Sequence, residues 1–391
     1  MVPKYRHAEI ASVYAVAFFQ GIGNIVFPAS AVVFKSHHRF SDSDYGLLYL
    51  AMILFAILSS LAAAFLVRHI SLKVIFLIGV LGYALSQAIL ALSYPMQSHA
   101  LVLISISVLG IGFGFTGTAV NFYPTQFFPT HRDAAIIFTH VAFGIGATLA
   151  PALLALAQHT VGWVAYPLLT ALIMFFLATY SFTLPLQAAV PKSAHDNTPF
   201  LVPLELWFFC LVAVLYALCE ATFSNWAVIF LREAKGLPEQ SASLGLSVFW
   251  FALTIGRLAA SALARRIGAE KIYLALPPLM TIAFLLLPVV SGALPLLLCF
   301  SLAGLGCSAF FPLNVSLAMR YFPQHAAMTG GLMSASVMLG IGFASYGIAP
   351  LRAYFPLEQI YVFSALYPLS ALLIAIRLVR KLSPSAAFHS S

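Results

Sequence analysis

The sequence predicts an all-α polytopic membrane protein, with twelve transmembrane helices arranged as two six-helix, pseudo-symmetric bundles. Three observations predict it. The 391 residues are 62% hydrophobic and only 8% charged, too little charge to clothe a surface facing water. Apolar runs of about 20 residues, the length a helix needs to cross the hydrocarbon core, recur along the whole chain. The two halves of the chain also repeat each other at a near-constant offset.

Twelve spans are expected, at residues 9–34, 44–67, 73–93, 99–123, 133–157, 162–184, 204–231, 243–264, 271–291, 294–318, 326–349 and 357–379. Pro28, Pro151, Pro277, Pro278 and Pro312 fall inside them. Membrane helices tolerate this, because neighbouring helices can satisfy the freed backbone. Lys4 and Arg6 lead straight into the first span with no small-residue cleavage site. That pattern predicts a first membrane helix rather than a removable signal. One polar stretch, Gln187 to Thr198, interrupts the series between spans six and seven. The expected organisation is therefore a bundle over 1–185, a cytoplasmic linker over 186–202 and a second bundle over 203–391.

Charge sets the expected orientation. With the N-terminus inside, thirteen Lys and Arg residues fall on the cytoplasmic side and five outside (Lys35, Arg39, Arg232, Lys235 and Arg352), leaving Arg257 within a span. The positive-inside rule then places both termini in the cytoplasm. Read this way, the net charge of +8 holds loops to the membrane surface and does not point to nucleic acid. Cys210, Cys219, Cys299 and Cys307 all lie in apolar segments, with no CxxC or Cys/His spacing. Free buried thiols are expected, with no metal site, no cofactor and no disulfide framework. The short loops suit a bacterial inner membrane protein working as a monomer among membrane lipids.

The repeat has three anchors. Gly110–Pro129 aligns without gaps on Gly304–Pro323, Arg68–Ser71 matches Arg265–Gly268, and Gly144–Gly146 matches Gly340–Gly342. The offsets are 194, 197 and 196 residues. Such constancy argues for duplication. Parallel six-helix repeats with a site where they meet are a transporter architecture. An enzyme is not expected, because no nucleotide loop, metal cluster or Ser/His/Asp set is present.

Glu220 is the only one of the eleven carboxylates at membrane depth; the other ten lie in loops or at segment ends. An ionised group there is costly and usually faces a bundle interior or wet cavity. It reads as a proton or substrate site, or as a structural carboxylate. By helical rise, Glu220 lies about 16 Å and Arg257 about 21 Å from the same membrane face. The two side chains are therefore expected to sense each other. The alternatives are a permanent ion pair, or an Arg257 turned onto backbone carbonyls. Tyr216, Glu220 and Ser224 are four residues apart and form one stripe, a cavity wall. Asn225 points about 140° away from Glu220 and suits either a cavity or a helix contact. Gln20, Asn24, Asn121 and Asn314 are amides inside spans, as substrate ligands or as bonds to neighbouring helices. His140 titrates near neutrality where wetted and is a second proton carrier, or a core histidine. Trp250 joins Tyr14, Phe18, Phe19, Phe115, Phe122, Tyr123 and Phe310 as aromatics on spans expected to line a cavity.

These stretches resemble the major facilitator superfamily over essentially the whole chain. Ala264–Lys271 is similar to the second copy of its loop signature, keeping Arg266 and Gly268 but carrying Arg265 where an acid is usual. Leu66–Lys73 is the more altered first copy, with Arg68 and Ser71 at the acid and glycine places. Within the superfamily, Thr118–Asn121, Phe127–Ala135, Leu215–Glu220 with Ser224–Trp226, and Gly245–Trp250 followed by Gly256 and Arg257 resemble the fucose-permease-like group of sugar transporters. The resemblance implies a secondary transporter working by alternating access. Proton-coupled uptake of a small polar solute is the first reading. Proton-driven efflux of drug-like or siderophore-like compounds is the alternative, and a non-transporting receptor the third. Proton-coupled members of the group place a carboxylate in the N-terminal half, where this chain has Gln20, Asn24 and Asn121. Gly144, Gly146, Ala150 and Pro151 resemble a Gly-Pro element of antiporter helices, and small residues of this kind also allow close packing.

Overall fold

Inside a bilayer every peptide group must bond within the protein, and a helix does this segment by segment. The computed structural model describes residues 6–67, 69–129, 132–187, 203–322 and 326–382. Among them it contains helices and turns and no strand. The helices are α1 (Arg6–Ala29), α2 (Ala31–Ser36), α3 (Asp42–Leu66), α4 (Leu72–Met96), α5 (His99–Phe127), α6 (Arg132–Thr160) and α7 (Ala165–Thr183). After them come α8 (Leu204–Asn225), α9 (Ala227–Ile229) with a π-helical turn Phe230–Ala234, α10 (Glu239–Ile267), α11 (Ala269–Leu286) and α12 (Ala293–Ser308). The last are α13 (Phe310–Tyr321), α14 (Ala326–Leu351), α15 (Leu357–Ser364) and α16 (Leu366–Leu382). Together they make twelve spans long and apolar enough to cross a membrane. Large apolar side chains such as Leu58, Leu61 and Phe65 on α3 stand exposed, as a lipid-facing surface requires.

The chain forms two compact units, Met1–Asp196 and Asn197–Ser391. From residue 188 onward the expected linker lies outside the described residues, as does Arg68 of the first signature loop. Within the first unit α1 packs on α6, α5 on α3 and α4, and α4 on α7. The second unit repeats the scheme with α8 on α14, α12 on α10 and α11, and α11 on α16. The duplication reaches individual contacts. A Cβ on Gly110 would strike the Met52 carbonyl of α3, and one on Gly304 the Phe249 carbonyl of α10. Likewise Gly112 lies against Gly79 and Tyr83 of α4, and Gly306 against Leu276 and Met280 of α11. Backbones approach this closely only where the side chain is missing.

Four expected spans are not continuous, the twelfth turning at Ala365 (φ −59°, ψ −21°) between α15 and α16. The first breaks at Ser30 (φ −88°, ψ 10°), the seventh at Trp226 (φ −106°, ψ 0°) and the tenth at Ala309 (φ −106°, ψ 0°). Ser30 and Trp226 are 196 residues apart, the same place in each repeat. Apolar periodicity does not register these breaks, because the residues around them remain apolar. What holds them is tertiary: the Trp163 indole donates to Ser30 Oγ at 2.9 Å, and the Trp226 indole to the Ser345 carbonyl at 3.1 Å.

Charges gather at span ends. Lys35 pairs with Asp42 at 2.8 Å, Arg352 with Glu233 at 2.7 Å, Arg320 with Glu270, and Lys381 with Glu205. Glu270 belongs to the second signature loop, where Gly268 ends α10 with φ 93°, a conformation that favours glycine. In the first loop Ser71, at the glycine place, caps α4 instead.

One end of the first unit is closed by a histidine cluster. His37 stacks on Tyr94 with ring centroids 3.8 Å apart, and Tyr94 stacks on Trp163. His38 is buried and donates Nε2–H to the Ser93 carbonyl at 3.1 Å, while its buried Nδ1 has no hydrogen-bond partner. The His99 ring bonds the His38 carbonyl. Burial, and secondarily the charges of His37 and His99, hold the His38 pKa below its ordinary value. A base whose pKa falls on folding binds fewer protons folded than unfolded, so stability drops as pH falls through the unfolded value of about 6.5. Thermal midpoints measured from pH 7.5 to pH 5.5 should fall more steeply for the natural protein than for His38→Gln, which keeps an N–H for Ser93. Coincident slopes would show that His38 is not linked to folding.

Candidate functional site

The stripe on α8 is built as the spacing predicts, and its two polar ends are engaged differently. Tyr216 is fully buried, with its ring stacked on Phe311 at 5.6 Å and tilted against Phe310 at 6.1 Å. Its hydroxyl donates to Glu220 Oε2 one turn along. Glu220 itself is only partly buried. A further turn along, Ser224 Oγ accepts the Trp250 indole N–H of α10 at 3.2 Å.

Arg257 comes to the same neighbourhood from α10. Gly256 beside it makes the approach possible, since a Cβ there would lie 2.6 Å from Ser308 Cβ of α12. α12 ends at Ser308 where the backbone breaks at Ala309. The Arg257 Nε–H donates to the Ser308 carbonyl at 2.9 Å, placing a cation at the negative end of a helix dipole. Glu220 and Arg257 form no ion pair; Arg257 bonds Ser308 at the break, and Tyr216, the partner of Glu220, stacks on Phe311 just beyond it. The two therefore share an environment without neutralising each other. Of the sequence alternatives for Arg257, the one built is attachment to a backbone carbonyl.

The first unit carries a neutral counterpart. Gln20 donates to Thr116 Oγ1 of α5. Asn24 donates to the Gln20 carbonyl at 2.8 Å and to the Tyr83 hydroxyl of α4 at 2.7 Å. Gln87, one turn beyond Tyr83, donates to the Gly23 carbonyl at 3.1 Å, and its buried Oε1 accepts no hydrogen bond. Gln20 and Asn24 stand 196 residues before Tyr216 and Glu220, so an amide pair occupies the repeat position of the phenol–carboxylate pair.

The other predicted residues separate by environment. Asn121 on α5 and His140 on α6 are exposed. Asn314 is fully buried and ties four helices, with Tyr273 donating to its Oδ1 at 2.6 Å and its Nδ2 reaching the Phe209 carbonyl at 3.0 Å and Met333 Sδ at 3.5 Å. Asn225 is buried and donates to Ser345 Oγ of α14 at 2.7 Å. Asn225 and Asn314 thus serve helix–helix bonds. Sequence reasoning passed over Tyr83, Gln87, Thr116 and the Ser308 carbonyl. The signal available for the first two was their four-residue spacing within an apolar span. Among the described residues no three His, Cys, Asp or Glu side chains gather to hold a metal ion.

Comparison with known proteins bears on this arrangement. The family profile described as Major Facilitator Superfamily matches residues 13–345 and 209–390. An uncharacterized MFS-type transporter of Yersinia pestis is 23% identical over 372 residues, covering 91% of each chain. The glucose/mannose transporter GlcP of Bacillus subtilis (strain 168) is 23% identical over 68% of this chain and 70% of its own. A glucose/galactose transporter of Brucella abortus (strain 2308) is 25% identical over 72% of both. Among solved structures, the nucleoside transporter NupG superposes with a TM-score of 0.77 at 14% identity, covering 95% of this chain and 99% of that one. A POT family transporter superposes with a TM-score of 0.79 at 12% identity, covering 96% of each. Both confirm the fold.

The contrast between the two asparagines is measurable. Asn314→Ala strands the Phe209 carbonyl and the Tyr273 hydroxyl, and should cost on the order of 1–2 kcal/mol of stability. Asn121→Ala should leave the thermal midpoint within about 1 °C of the natural protein, since exposed substitutions rarely change stability. Equal shifts for the two would contradict this assignment.

Proposed function

The chain belongs to the Major Facilitator Superfamily, and we propose that it carries a small neutral polar solute of the sugar class into the cell together with a proton. Its relatives are transporters and not enzymes, and the chain is an integral membrane protein of twelve apolar helices. The single observation that carries the finer reading is the state of Glu220. It is a membrane carboxylate held by a phenol, with a cation nearby that is bonded elsewhere. A carboxylate permanently paired with Arg257 would have little reason to take up a proton. One left with a neutral donor can hold a proton from one side and release it to the other. Loss of the proton creates a charge that draws on Arg257. Arg257 can answer only by loosening from the Ser308 carbonyl, where α12 is already interrupted. In this way the protonation of one side chain biases the geometry of a broken helix, which alternating access requires.

Solute class follows from the partner groups. Gln20, Asn24, Tyr83, Gln87 and Thr116 offer uncharged donors and acceptors, suited to hydroxyl groups. A charged solute would need a counter-ion, which this set lacks. The names of the relatives, for glucose with mannose or galactose, support the sugar class. Asn121 is a further proposed solute contact within the first unit, Tyr216, Ser224 and Trp250 are proposed ones within the second, and His140, exposed on α6, is the second proposed proton carrier.

The test is uptake of radiolabelled hexoses into proteoliposomes under an inward proton gradient. The natural protein should accumulate sugar. Glu220→Gln should lose accumulation by about tenfold or more while keeping gradient-free sugar exchange, because only the proton step is removed. Undiminished accumulation by Glu220→Gln would remove Glu220 from coupling. Absence of hexose flux and exchange in the natural protein would sink the sugar assignment.

A further inference from the structure

The last helix carries a face that changes character along its length. Leu366, Leu369 and Leu373 on α16 are 61%, 41% and 69% exposed, and Ile376, Arg377, Arg380 and Lys381 follow. Steps of three and four residues place them on one side of the helix. A shallow groove of about 450 Å³ on this side is lined by Leu373, Ile376, Arg377, Arg380 and Lys381. Lys381 pairs with Glu205 at the start of α8. Arg377 and Arg380 have no hydrogen-bond or ion-pair partner among the described residues. Two unpaired guanidinium groups therefore stand directly beyond an exposed apolar strip.

The dimensions fit one lipid leaflet. From Leu366 to Ile376 the helix rises about 15 Å, half of a hydrocarbon core about 30 Å thick. The basic groups then fall at the depth of the phosphates. Two simpler roles do not account for them. Arg380 and Lys381 lie in the last turn and complement the helix dipole, but Arg377 lies a turn earlier. Retention of a basic terminus on one membrane side needs charge without needing it on one stripe beside a groove.

We infer that this face of α16 is a binding site for an anionic phospholipid. Its acyl chain lies along Leu366, Leu369 and Leu373, and its phosphate is held by Arg377 and Arg380. Guanidinium forks match phosphate oxygens with two parallel bonds. Lys381 is neutralised by Glu205 and leaves the phosphate to the positive field of the two guanidinium groups. A headgroup carrying its own ammonium would meet that field unfavourably, so phosphatidylglycerol is favoured over phosphatidylcholine of the same chains.

The experiment uses the full chain purified in neutral detergent. Lipid retention is read by native mass spectrometry and the thermal midpoint by unfolding, with dioleoyl-phosphatidylglycerol, dioleoyl-phosphatidylcholine or inorganic phosphate added. The expected result is preferential retention of phosphatidylglycerol by about tenfold, with a raised midpoint. Arg377→Gln with Arg380→Gln should bring the two lipids to parity. The equal-charge control Arg266→Gln with Lys271→Gln should keep the preference. Parity in the natural protein overturns the inference, and that comparison needs no variant. An equal loss in the control would mean diffuse surface charge, and an equal midpoint shift with inorganic phosphate would mean an anion site without a lipid. Either result also overturns it.

Discussion

Inside a bilayer there is no water for a polar side chain to bond, and in this protein many such side chains bond backbone carbonyls of other segments. Arg257 takes the Ser308 carbonyl, the Trp226 indole takes Ser345, Tyr361 takes Thr222 at 3.1 Å, and Asn314 takes Phe209. In the first unit Gln87 takes Gly23, Tyr123 takes Leu186, and Lys73 takes both Phe182 and Leu184. Arg6 bonds the carbonyls of Gln126 and Phe127 at the end of α5. Most of these groups join segments distant in sequence, so one bond both completes a backbone and fixes a helix pair. Glu220 cannot join this group. As an acceptor it cannot serve a carbonyl, and its partner is a side chain.

Much of the fold was legible because membrane helices are selected by length and apolarity, which sequence displays directly. The duplication was legible because glycines at close crossings cannot be replaced: Gly110 and Gly112 recur as Gly304 and Gly306 against the equivalent helices. The Tyr216–Glu220 bond was legible because residues four apart on a helix are neighbours. The attachment of Arg257 was not, because it depends on where α12 breaks, and that break is set by packing between α10 and α12. Depth arithmetic located Arg257 along its helix and left its rotation open.

Asn121 and Asn314 show how fine the limit is. They are 193 residues apart, one short of the 194 that relates α5 to α12–α13 around them. One residue turns a side chain by about 100°. That turn separates an exposed amide from a fully buried one. Repeat symmetry therefore predicts backbone placement much better than side-chain environment. Gln20 and Asn24 against Tyr216 and Glu220 differ in the other way, with register kept and chemistry changed.

The glycine crossings also divide each unit mechanically. Where Gly110 and Gly112 seat α5 against carbonyl groups of α3 and α4, and Gly304 and Gly306 seat α12 on α10 and α11, sliding by a fraction of a turn would drive side chains into backbone. These triplets can tilt only as solid blocks. The backbone turns elsewhere, at Ser30 between α1 and α2, Trp226 between α8 and α9, Ala309 between α12 and α13, and Ala365 between α15 and α16. Ser30 and Trp226 are gripped by tryptophan indoles, whose wide rings resist rotation. Ala309 is gripped through one arginine nitrogen on a flexible stem. The break at Ala309 is thus restrained by a charged side chain, within the same unit that carries Glu220.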